Sequence, residues 1–376
     1  MRNYSVKNTM WENKGHEFDK VAENIFSLDM RYYIYGDESE NNKLLEQVKD
    51  REIIVAERIE EIEAKEFIIV ICTFLDRQKY NQTVEYLKSA GFEENKNLFQ
   101  GEVFRKLYDV YVLDEIRIDR IEIFLTSCCT LNCEKCISYI PYFKKPKITP
   151  LQQLKDDADL LFSKVDYVYK MKLLGGEVFL YPYLTEYINY LNDKYGDKIG
   201  SIRIGTNGTI FPGQAVLEMC ERNNVTIDIS DYTNAVPNIC MLDDVKKICQ
   251  EHGVAVDVKR TGEQWLDMGF PDHPPREKNE EELREHFFKC AMFCRQFSNG
   301  KYYFCCSNFA AVCVGLFPDD ENNYFDFRQE FTKRELLEFE LGYSMLGHTT
   351  FCSVCNGGSI EANQCNVPVA KQKNRD

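Results

Sequence analysis

Three cysteines lie together in one short stretch of this chain, with the spacing Cys129-x3-Cys133-x2-Cys136. Three thiolates on one tight loop can hold three irons of a cubane cluster and leave the fourth iron open to a ligand. Residues 121–126, just before the loop, alternate apolar and polar side chains, which predicts a strand that ends where the cysteines begin. The sequence therefore predicts a metal-binding loop at the carboxyl end of a strand, as after the first strand of a parallel barrel.

Structural zinc is the alternative for this loop, because clustered intracellular cysteines are commonly zinc ligands. Structural zinc needs four ligands, usually as two cysteine pairs. The fourth ligand here would be the adjacent Cys128 or a distant residue. The segments that follow the loop disfavour zinc.

Two glycines and a carboxylate follow the next strand pattern. Residues 169–174 run directly into Gly175, Gly176 and Glu177. Glycine has no Cβ, so its backbone can approach a ligand closely, and a carboxylate can pair with an ammonium group. The pattern predicts a ligand-binding turn, although a Gly-Gly-Glu sequence in isolation is more often an ordinary turn.

Short polar residues end two further strand patterns, with Thr206 and Asn207 after residues 201–205 and Ser230 after residues 225–229. The carboxyl ends of parallel strands converge on one face of a barrel, so these side chains are expected near one ligand. Ordinary turn chemistry is the alternative, since Asn and Ser are good turn formers.

Together, these segments resemble the radical S-adenosylmethionine (SAM) superfamily. The resemblance implies a [4Fe-4S] cluster on Cys129, Cys133 and Cys136, with SAM bound at its open iron. It also implies that Gly175, Gly176 and Glu177 receive the amino group of SAM. Ribose and carboxylate contacts are implied for Thr206, Asn207 and Ser230. One residue departs from the family pattern: an aromatic residue usually precedes the third cysteine, and here it is Lys135.

The C-terminal part contains eight of the sixteen cysteines. The run Cys290-x9-Gly300-x4-Cys305 resembles the opening of SPASM domains, and the pair Cys352-x2-Cys355 fits both SPASM and the shorter twitch domains. This resemblance implies at least one auxiliary [4Fe-4S] cluster. Its expected ligands are Cys290 or Cys294, together with Cys305, Cys352 and Cys355. A zinc ribbon is the alternative, and the remaining cysteines leave room for a second cluster.

The fold class predicted from the chain is α/β in three parts. Residues 1–120 contain strand and helix patterns of a small Rossmann-like domain for recognition or assembly. Residues 121–262 alternate strands with helices, which indicates parallel strands with right-handed crossovers and hence a partial (β/α) barrel of about five strands. Residues 263–376 are expected to form the cysteine-rich auxiliary domain.

Composition restricts the class of partner. The formal charge of −15 argues against nucleic-acid binding, which needs a positive surface. No apolar run approaches the ~18 residues of a membrane span. Sixteen cysteines without a secretion signal are expected in a reducing cytoplasm.

The expected function is reductive cleavage of SAM followed by hydrogen abstraction from a substrate carbon. Residues 11–19 resemble a short motif of small α/β domains in surface-glycan biosynthesis proteins, which favours oxidation of a carbohydrate or polyol metabolite, with epimerisation as an alternative. Arg260, after the last strand of the middle part, is a candidate substrate contact. A flavodoxin- or ferredoxin-like protein is the expected electron donor. A peptide-modifying maturase and a non-enzymatic iron-sulfur or zinc-binding assembly protein are the remaining alternatives.

Overall fold

The computed structural model describes residues 16–62, 67–272, 278–290, 294–342 and 346–373. The chain divides into two compact units, Met1–Ile116 with Thr332–Met345, and Arg117–Phe331 with Leu346–Asp376. The cysteine-rich C-terminal segment therefore shares a unit with the segment that follows residue 120. The assignment of separate roles to residues 1–120, 121–262 and 263–376 stays a prediction.

The first unit contains a parallel four-stranded sheet with the order β2-β1-β3-β4. All six residues of β3 are buried, as expected for a central strand covered on both faces. The elements of this unit are α1 His16–Ile25, β1 Arg31–Gly36, α2 Glu38–Gln47, β2 Ile53–Val55, β3 Ile68–Thr73, α3 Arg77–Ser89, β4 Leu98–Gln100 and α4 Gly101–Tyr111.

The second unit contains an eight-stranded sheet with the order β11-β10-β9-β8-β6-β13-β14-β15. Its strands are β5 Arg117–Ile118, β6 Ile121–Phe124, β7 Tyr167–Val168, β8 Met171–Leu174, β9 Ile202–Thr206, β10 Thr226–Asp231, β11 Val256–Arg260, β12 Gln264–Leu266, β13 Gln296–Ser298, β14 Lys301–Tyr303, β15 Tyr324–Asp326 and β16 Asn366–Pro368. Its helices are α5 Leu151–Phe162, α6 Leu184–Tyr195, α7 Gln214–Arg222, α8 Leu242–Glu251, α9 Glu280–Lys289 and α10 Cys306–Val314.

Five strands of this sheet, β6, β8, β9, β10 and β11, are parallel neighbours joined through helices α5 to α8. These are the five strands that the alternating pattern predicts, and their carboxyl ends share one edge. The mixed α/β class with parallel sheets is confirmed, whereas closure into a partial barrel stays a prediction.

The C-terminal segment extends the same sheet beyond β6, which the sequence did not indicate. Strand β13 pairs in parallel with β6 through Gln296 and Glu122. Strands β14 and β15 then continue in antiparallel order. The cysteine-rich segment is thus built directly onto the first strand of the parallel sheet.

Helix α11, Lys333–Glu340, belongs to the first unit although it lies far along the chain. Leu337 packs in the core cluster of that unit. Glu340 accepts a hydrogen bond from the buried Lys106 ammonium of α4 at 2.8 Å. Among the described residues, no helix is both long and apolar enough to cross a membrane.

Candidate functional site

The cysteine loop begins directly after β6 and is anchored by the segment that leads into α5. Ser127 donates its backbone N–H to the carbonyl of Lys147 at 2.8 Å, and Lys147 donates its N–H to Ser127 Oγ at 2.7 Å. The N–H of Cys128 donates to Thr126 Oγ1 at 3.0 Å. These bonds fix the start of the loop at the carboxyl end of β6.

The three predicted cluster ligands come together in one apolar cluster that covers the loop. Burial, together with the neighbouring Cys136, Glu177 and Cys133, raises the pKa of Cys129 to about 12. Burial also raises the pKa of Cys133 to about 11, and it raises the pKa of Cys136. Because a metal ligand must be a thiolate, a cation that binds this group of thiols would displace their protons.

Tyr232, two residues after Ser230, faces the same three thiols. Burial and the proximity of Cys133, Cys136 and Cys129 raise the pKa of its hydroxyl, while a hydrogen bond with the Ser230 side chain opposes the shift. Its ring contacts Trp265 edge to face, with 5.8 Å between centroids. Ser230 is therefore joined to the cysteine loop through Tyr232.

A C-terminal segment, residues 369–373, covers the cysteine loop from another direction. Gln372 Nε2 donates to Cys133 Sγ at 3.3 Å, and Gln372 Oε1 accepts the N–H of Asn132 at 2.7 Å. Lys373 donates its N–H to the carbonyl of Asn132 at 2.7 Å. The loop is thus held by backbone and side-chain bonds to residues more than 230 positions away.

Gly175 and Gly176 lie against the backbone of the cysteine loop. A Cβ on Gly175 would lie 2.3 Å from the carbonyl oxygen of Thr126, and one on Gly176 would lie 2.2 Å from that of Cys128. The N–H of Gly176 donates to the Thr126 carbonyl at 2.7 Å. Glycine is therefore required at both positions because the backbone of the cysteine loop lies so close. The contact of Gly175 and Gly176 with SAM stays a prediction.

Glu177 is fully buried, and its carboxylate is held by donors from two strand ends. Its oxygens accept the Thr206 hydroxyl at 2.9 and 3.0 Å, the Asn207 N–H at 2.9 Å and the Phe179 N–H at 3.1 Å. Burial raises the pKa of this carboxyl, and the N–H donors of Asn207 and Phe179 lower it in part. In this arrangement the carboxylate fixes Thr206 and Asn207 rather than facing solvent.

Asn207 connects this carboxylate to the cysteine loop. Its Nδ2 lies 3.6 Å from Cys129 Sγ and donates to Thr130 Oγ1 at 3.0 Å. Three separate strand ends are therefore joined by one set of hydrogen bonds, as the convergence of parallel strands predicts. The loop after β6, the turn after β8 and the end of β9 all take part.

Lys135, the residue that departs from the family pattern, is ion-paired. Its ammonium lies 2.7 Å from Asp272 and 3.1 Å from Asp267. Tyr139, three residues after Cys136, is buried against Phe270 at a centroid distance of 5.6 Å, and its hydroxyl lies 2.7 Å from Ser307 Oγ. Its ring therefore belongs to the packing of the C-terminal segment.

Four C-terminal cysteines form a second group. Burial raises the pKa of Cys305, and the neighbouring thiols of Cys355, Cys290 and Cys352 raise it further. The N–H of Gly358 donates to Cys290 Sγ at 3.2 Å, and the N–H of Gly357 donates to Cys355 Sγ at 3.3 Å. These residues are the predicted auxiliary set in its Cys290 form.

Cys294, the alternative to Cys290 in that prediction, lies with other partners. Its thiol is hydrogen-bonded with Cys306, and both are close to Glu122. The spacing Cys290-x3-Cys294 could not decide which of the two cysteines joins the auxiliary set, and the geometry favours Cys290.

Arg260 ends the edge strand β11 beside Asp231 of β10 and is exposed. Its role as a substrate contact stays a prediction. Sequence reasoning did not select Tyr232, Gln372 or Glu122. The rule that the carboxyl ends of parallel strands share one edge also selects Tyr232, because Tyr232 ends the same segment as Ser230. No local sequence pattern identifies Gln372 or Glu122.

Comparisons with known proteins give matches only among solved structures. No family model and no curated protein matches the chain. Similar structures include Streptococcus suis SuiB bound to S-adenosylmethionine, with 14% identity and a TM-score of 0.34 over 54% of this chain and 42% of that one. The chain thus spans about two fifths of SuiB.

Two shorter proteins are matched over more of their length. Native anSMEcpe with bound AdoMet has 11% identity and a TM-score of 0.40, covering 64% of this chain and 88% of that one. BtrN in complex with AdoMet and 2-DOIA has 14% identity and a TM-score of 0.41, covering 64% and 93%. SuiB, anSMEcpe and BtrN are radical SAM enzymes. At these TM-scores, the grounds for assigning a function lie in the geometry of the site.

Proposed function

We propose that the chain is a radical SAM enzyme whose core [4Fe-4S] cluster is held by Cys129, Cys133 and Cys136. The observation that carries the proposal is the joining of Cys129, Asn207 and Glu177 in one hydrogen-bonded arrangement. Three grouped thiols fit three irons of a cubane, and the turn beside them fits the SAM position that the sequence resemblance implies. With SAM bound, such a cluster would supply the radical chemistry needed to abstract hydrogen from a substrate carbon.

The protein's own part is to orient SAM and to exclude water from the reacting centre. Thr206, Asn207 and Ser230 are the proposed contacts to its ribose and carboxylate. Glu177 holds the first two in place through the bonds described above. We propose that Gly175 and Gly176 offer backbone groups to the SAM amino group, because their close packing leaves no side chain in between. A direct contact of Glu177 with that amino group would require the carboxylate to exchange one of its present donors.

An auxiliary [4Fe-4S] cluster on Cys290, Cys305, Cys352 and Cys355 is the second part of the proposal. The thiols of Cys355, Cys290 and Cys352 lie near that of Cys305, and Cys290 lies near Cys352, which supports a four-thiolate set of the kind such a cluster needs. A zinc ribbon uses the same number of ligands. Metal analysis of protein purified without oxygen separates the two, since the cluster carries iron and sulfide in equal amounts.

The proposed substrate is a carbohydrate or polyol metabolite, and the proposed reaction is its oxidation, with electrons supplied by a flavodoxin- or ferredoxin-like donor. The motif on which the substrate class depends begins at residue 11, and residues 11–15 lie outside the described residues. A peptide substrate is the second candidate. Similar structures include SuiB bound to the precursor peptide SuiA and BtrN in complex with 2-DOIA. Turnover in deuterium oxide tests the reaction type: oxidation gives a product two hydrogens lighter, and epimerisation incorporates solvent deuterium.

The test of the core assignment is the triple substitution of Cys129, Cys133 and Cys136 by alanine. We expect reconstituted wild-type protein to carry about eight irons, as two cubanes require, and to form 5′-deoxyadenosine from SAM with dithionite. The triple variant should keep the auxiliary half of the iron and form no 5′-deoxyadenosine. Substitution of the buried Cys249 by alanine serves as the control. SAM cleavage by the triple variant would refute the core assignment, and stoichiometric zinc in place of iron would favour an assembly protein.

A further inference from the structure

A third group of metal-ligating side chains lies outside both cysteine sets. The ligand atoms of Glu122, Cys294 and Cys306 all lie within 4.8 Å of one another. Glu122 is on β6 and is 2% exposed, Cys294 stands two positions before β13, and Cys306 is the first residue of α10. Three separate elements of the second unit therefore direct one ligand each to the same point.

Backbone pairing fixes two of these ligands. The N–H of Glu122 donates to the carbonyl of Arg295 at 2.8 Å, and Gln296 Nε2 donates to the carbonyl of Glu122 at 2.8 Å. The same pair, Gln296 and Glu122, forms the register between β13 and β6. The pairing of β13 with β6 therefore brings Cys294, two residues before β13, close to Glu122.

The charges around the group also suit a cation. The guanidinium of Arg120 forms an ion pair with the Glu122 carboxylate and lies close to Cys294 and Cys306. Two thiolates and a carboxylate carry three negative charges, which a buried site does not tolerate without compensation. A divalent cation together with Arg120 balances them.

The group is separate from the proposed auxiliary cluster. Cys305 faces Cys355, Cys290 and Cys352, whereas the adjacent Cys306 faces Cys294 and Glu122. In a cubane cluster, each thiolate binds a separate iron at its own corner. Ligand atoms within 4.8 Å of one another can instead surround a single ion. Zinc holds sulfur at about 2.3 Å and carboxylate oxygen at about 2.0–2.2 Å, so the ligand atoms need to close by roughly 1 Å at most.

We propose that Cys294 Sγ, Cys306 Sγ and a Glu122 carboxylate oxygen bind one thiophilic divalent cation of the zinc type, with water as the fourth ligand. The mixed set of two sulfurs and one oxygen is suited to zinc, which is a borderline-soft ion. Binding releases the two thiol protons to solvent and changes no oxidation state. The ion joins the first strand of the parallel sheet to the start of α10, and so fixes the position of the neighbouring Cys305. The proposal does not depend on the activity proposed above.

The test uses the full chain, purified without oxygen, with its iron sites loaded and one equivalent of zinc added. X-ray absorption at the zinc edge should show two sulfur neighbours and at least one oxygen. Cys294→Ser and Cys306→Ser should each lose the zinc while keeping the wild-type iron content. Glu122→Gln keeps both thiols, and its zinc affinity should fall at least ~10–100-fold. A loss in that range is already typical when the residue removed only supports a metal ligand. Cys365→Ser, which changes an exposed cysteine, should keep both metals.

Four outcomes would overturn the proposal. Zinc bound by three or four sulfurs would place it in another cysteine set. Unchanged zinc in both serine variants would show that the three residues do not bind it. Loss of iron instead of zinc from these variants would make Cys294 and Cys306 cluster ligands. A disulfide between them in protein purified without oxygen would leave no thiolates for a metal. Wild-type iron content and a wild-type melting temperature in Glu122→Gln would show that this variant is folded.

Discussion

The carboxylate of Glu177 accepts the backbone N–H of Asn207 at 2.9 Å, while the side chain of Asn207 lies 3.6 Å from Cys129 Sγ. One buried carboxylate therefore sets the position of a residue that touches both the cysteine loop and the proposed SAM site. Glu177 is therefore a positioning residue, and its substitution should weaken SAM binding more than it reduces the iron content.

Replacing Glu177 by glutamine should weaken SAM binding by roughly 10–100-fold, because hydrogen bonds to a charged group contribute ~1.5–3 kcal/mol each. The amide nitrogen of glutamine cannot accept the Asn207 N–H or the Thr206 hydroxyl. Iron content should stay at the wild-type value. The measurement is SAM affinity by equilibrium dialysis, with Glu186→Gln on the exposed face of α6 as the control. Unchanged affinity in Glu177→Gln would contradict the positioning role.

Substitution of Gly176 by alanine should damage the cysteine loop directly. The new Cβ would lie 2.2 Å from the carbonyl oxygen of Cys128 and 2.8 Å from Cys129 Cβ. Overpacking of this kind typically destabilises by ~1–3 kcal/mol. We expect a lower melting temperature and loss of the core half of the iron.

The matched control is Gly213→Ala, because no atom lies within 4 Å of a Cβ built at that position. It should retain all iron and unfold near the wild-type temperature. If Gly176→Ala also keeps a full core cluster and its melting temperature, the packing of the turn against the loop is not required.

Local patterns predicted the elements that carry most of the site. The alternation of apolar and polar residues indicated β6, β8, β9, β10 and β11, and the rule that parallel strands end on one edge brought Cys129, Glu177 and Asn207 together. Each of these inferences needs only the few residues around one strand end. The sequence could therefore supply them without knowledge of distant contacts.

The features that local patterns did not predict depend on contacts between residues that are far apart in the sequence. Gln372 contacts Cys133 from 239 positions away, and Glu122 contacts the C-terminal cysteines through the register of β13 with β6. Helix α11 joins the first unit after more than 200 intervening residues for the same reason. No periodicity or spacing within a window records such pairings, because the partner residues lie far outside the window of about 11–18 residues over which periodicity is judged.

Gln372→Ala should lower the reduction potential of the proposed core cluster. Hydrogen bonds to a cluster sulfur stabilise the more negative, reduced state, so loss of the Gln372 bond to Cys133 Sγ should lower the reduction potential of the core cluster. Redox titration followed by electron paramagnetic resonance measures this, and the auxiliary cluster in the same sample is the internal reference. The exposed Gln364, substituted by alanine, is the control. An equal shift in both clusters, or none in the core, would contradict the prediction.

Glu338 on α11 should make the stability of the first unit depend on pH. Burial, with Glu335 and Asp19 nearby, raises the pKa of its carboxyl to about 7. The folded chain therefore keeps a proton that the unfolded chain releases near pH ~4.3. This stability is fully present below the unfolded pKa and is lost as pH rises through about 7. The total loss is on the order of 3–4 kcal/mol, since the two pKa values lie roughly 2.7 units apart and each unit corresponds to about 1.4 kcal/mol.

Glu338→Gln removes the titrating group while keeping its shape, so the variant should be more stable than the wild type at pH 8 and nearly equal to it at pH 4. The measurement is thermal unfolding of both proteins across this range, and the difference between them cancels the contributions of other groups. Glu46→Gln on the exposed side of α2 should leave the difference flat. A destabilised Glu338→Gln at pH 8 would mean that the carboxylate is stabilised by its surroundings, and the direction of the pKa shift would then be wrong.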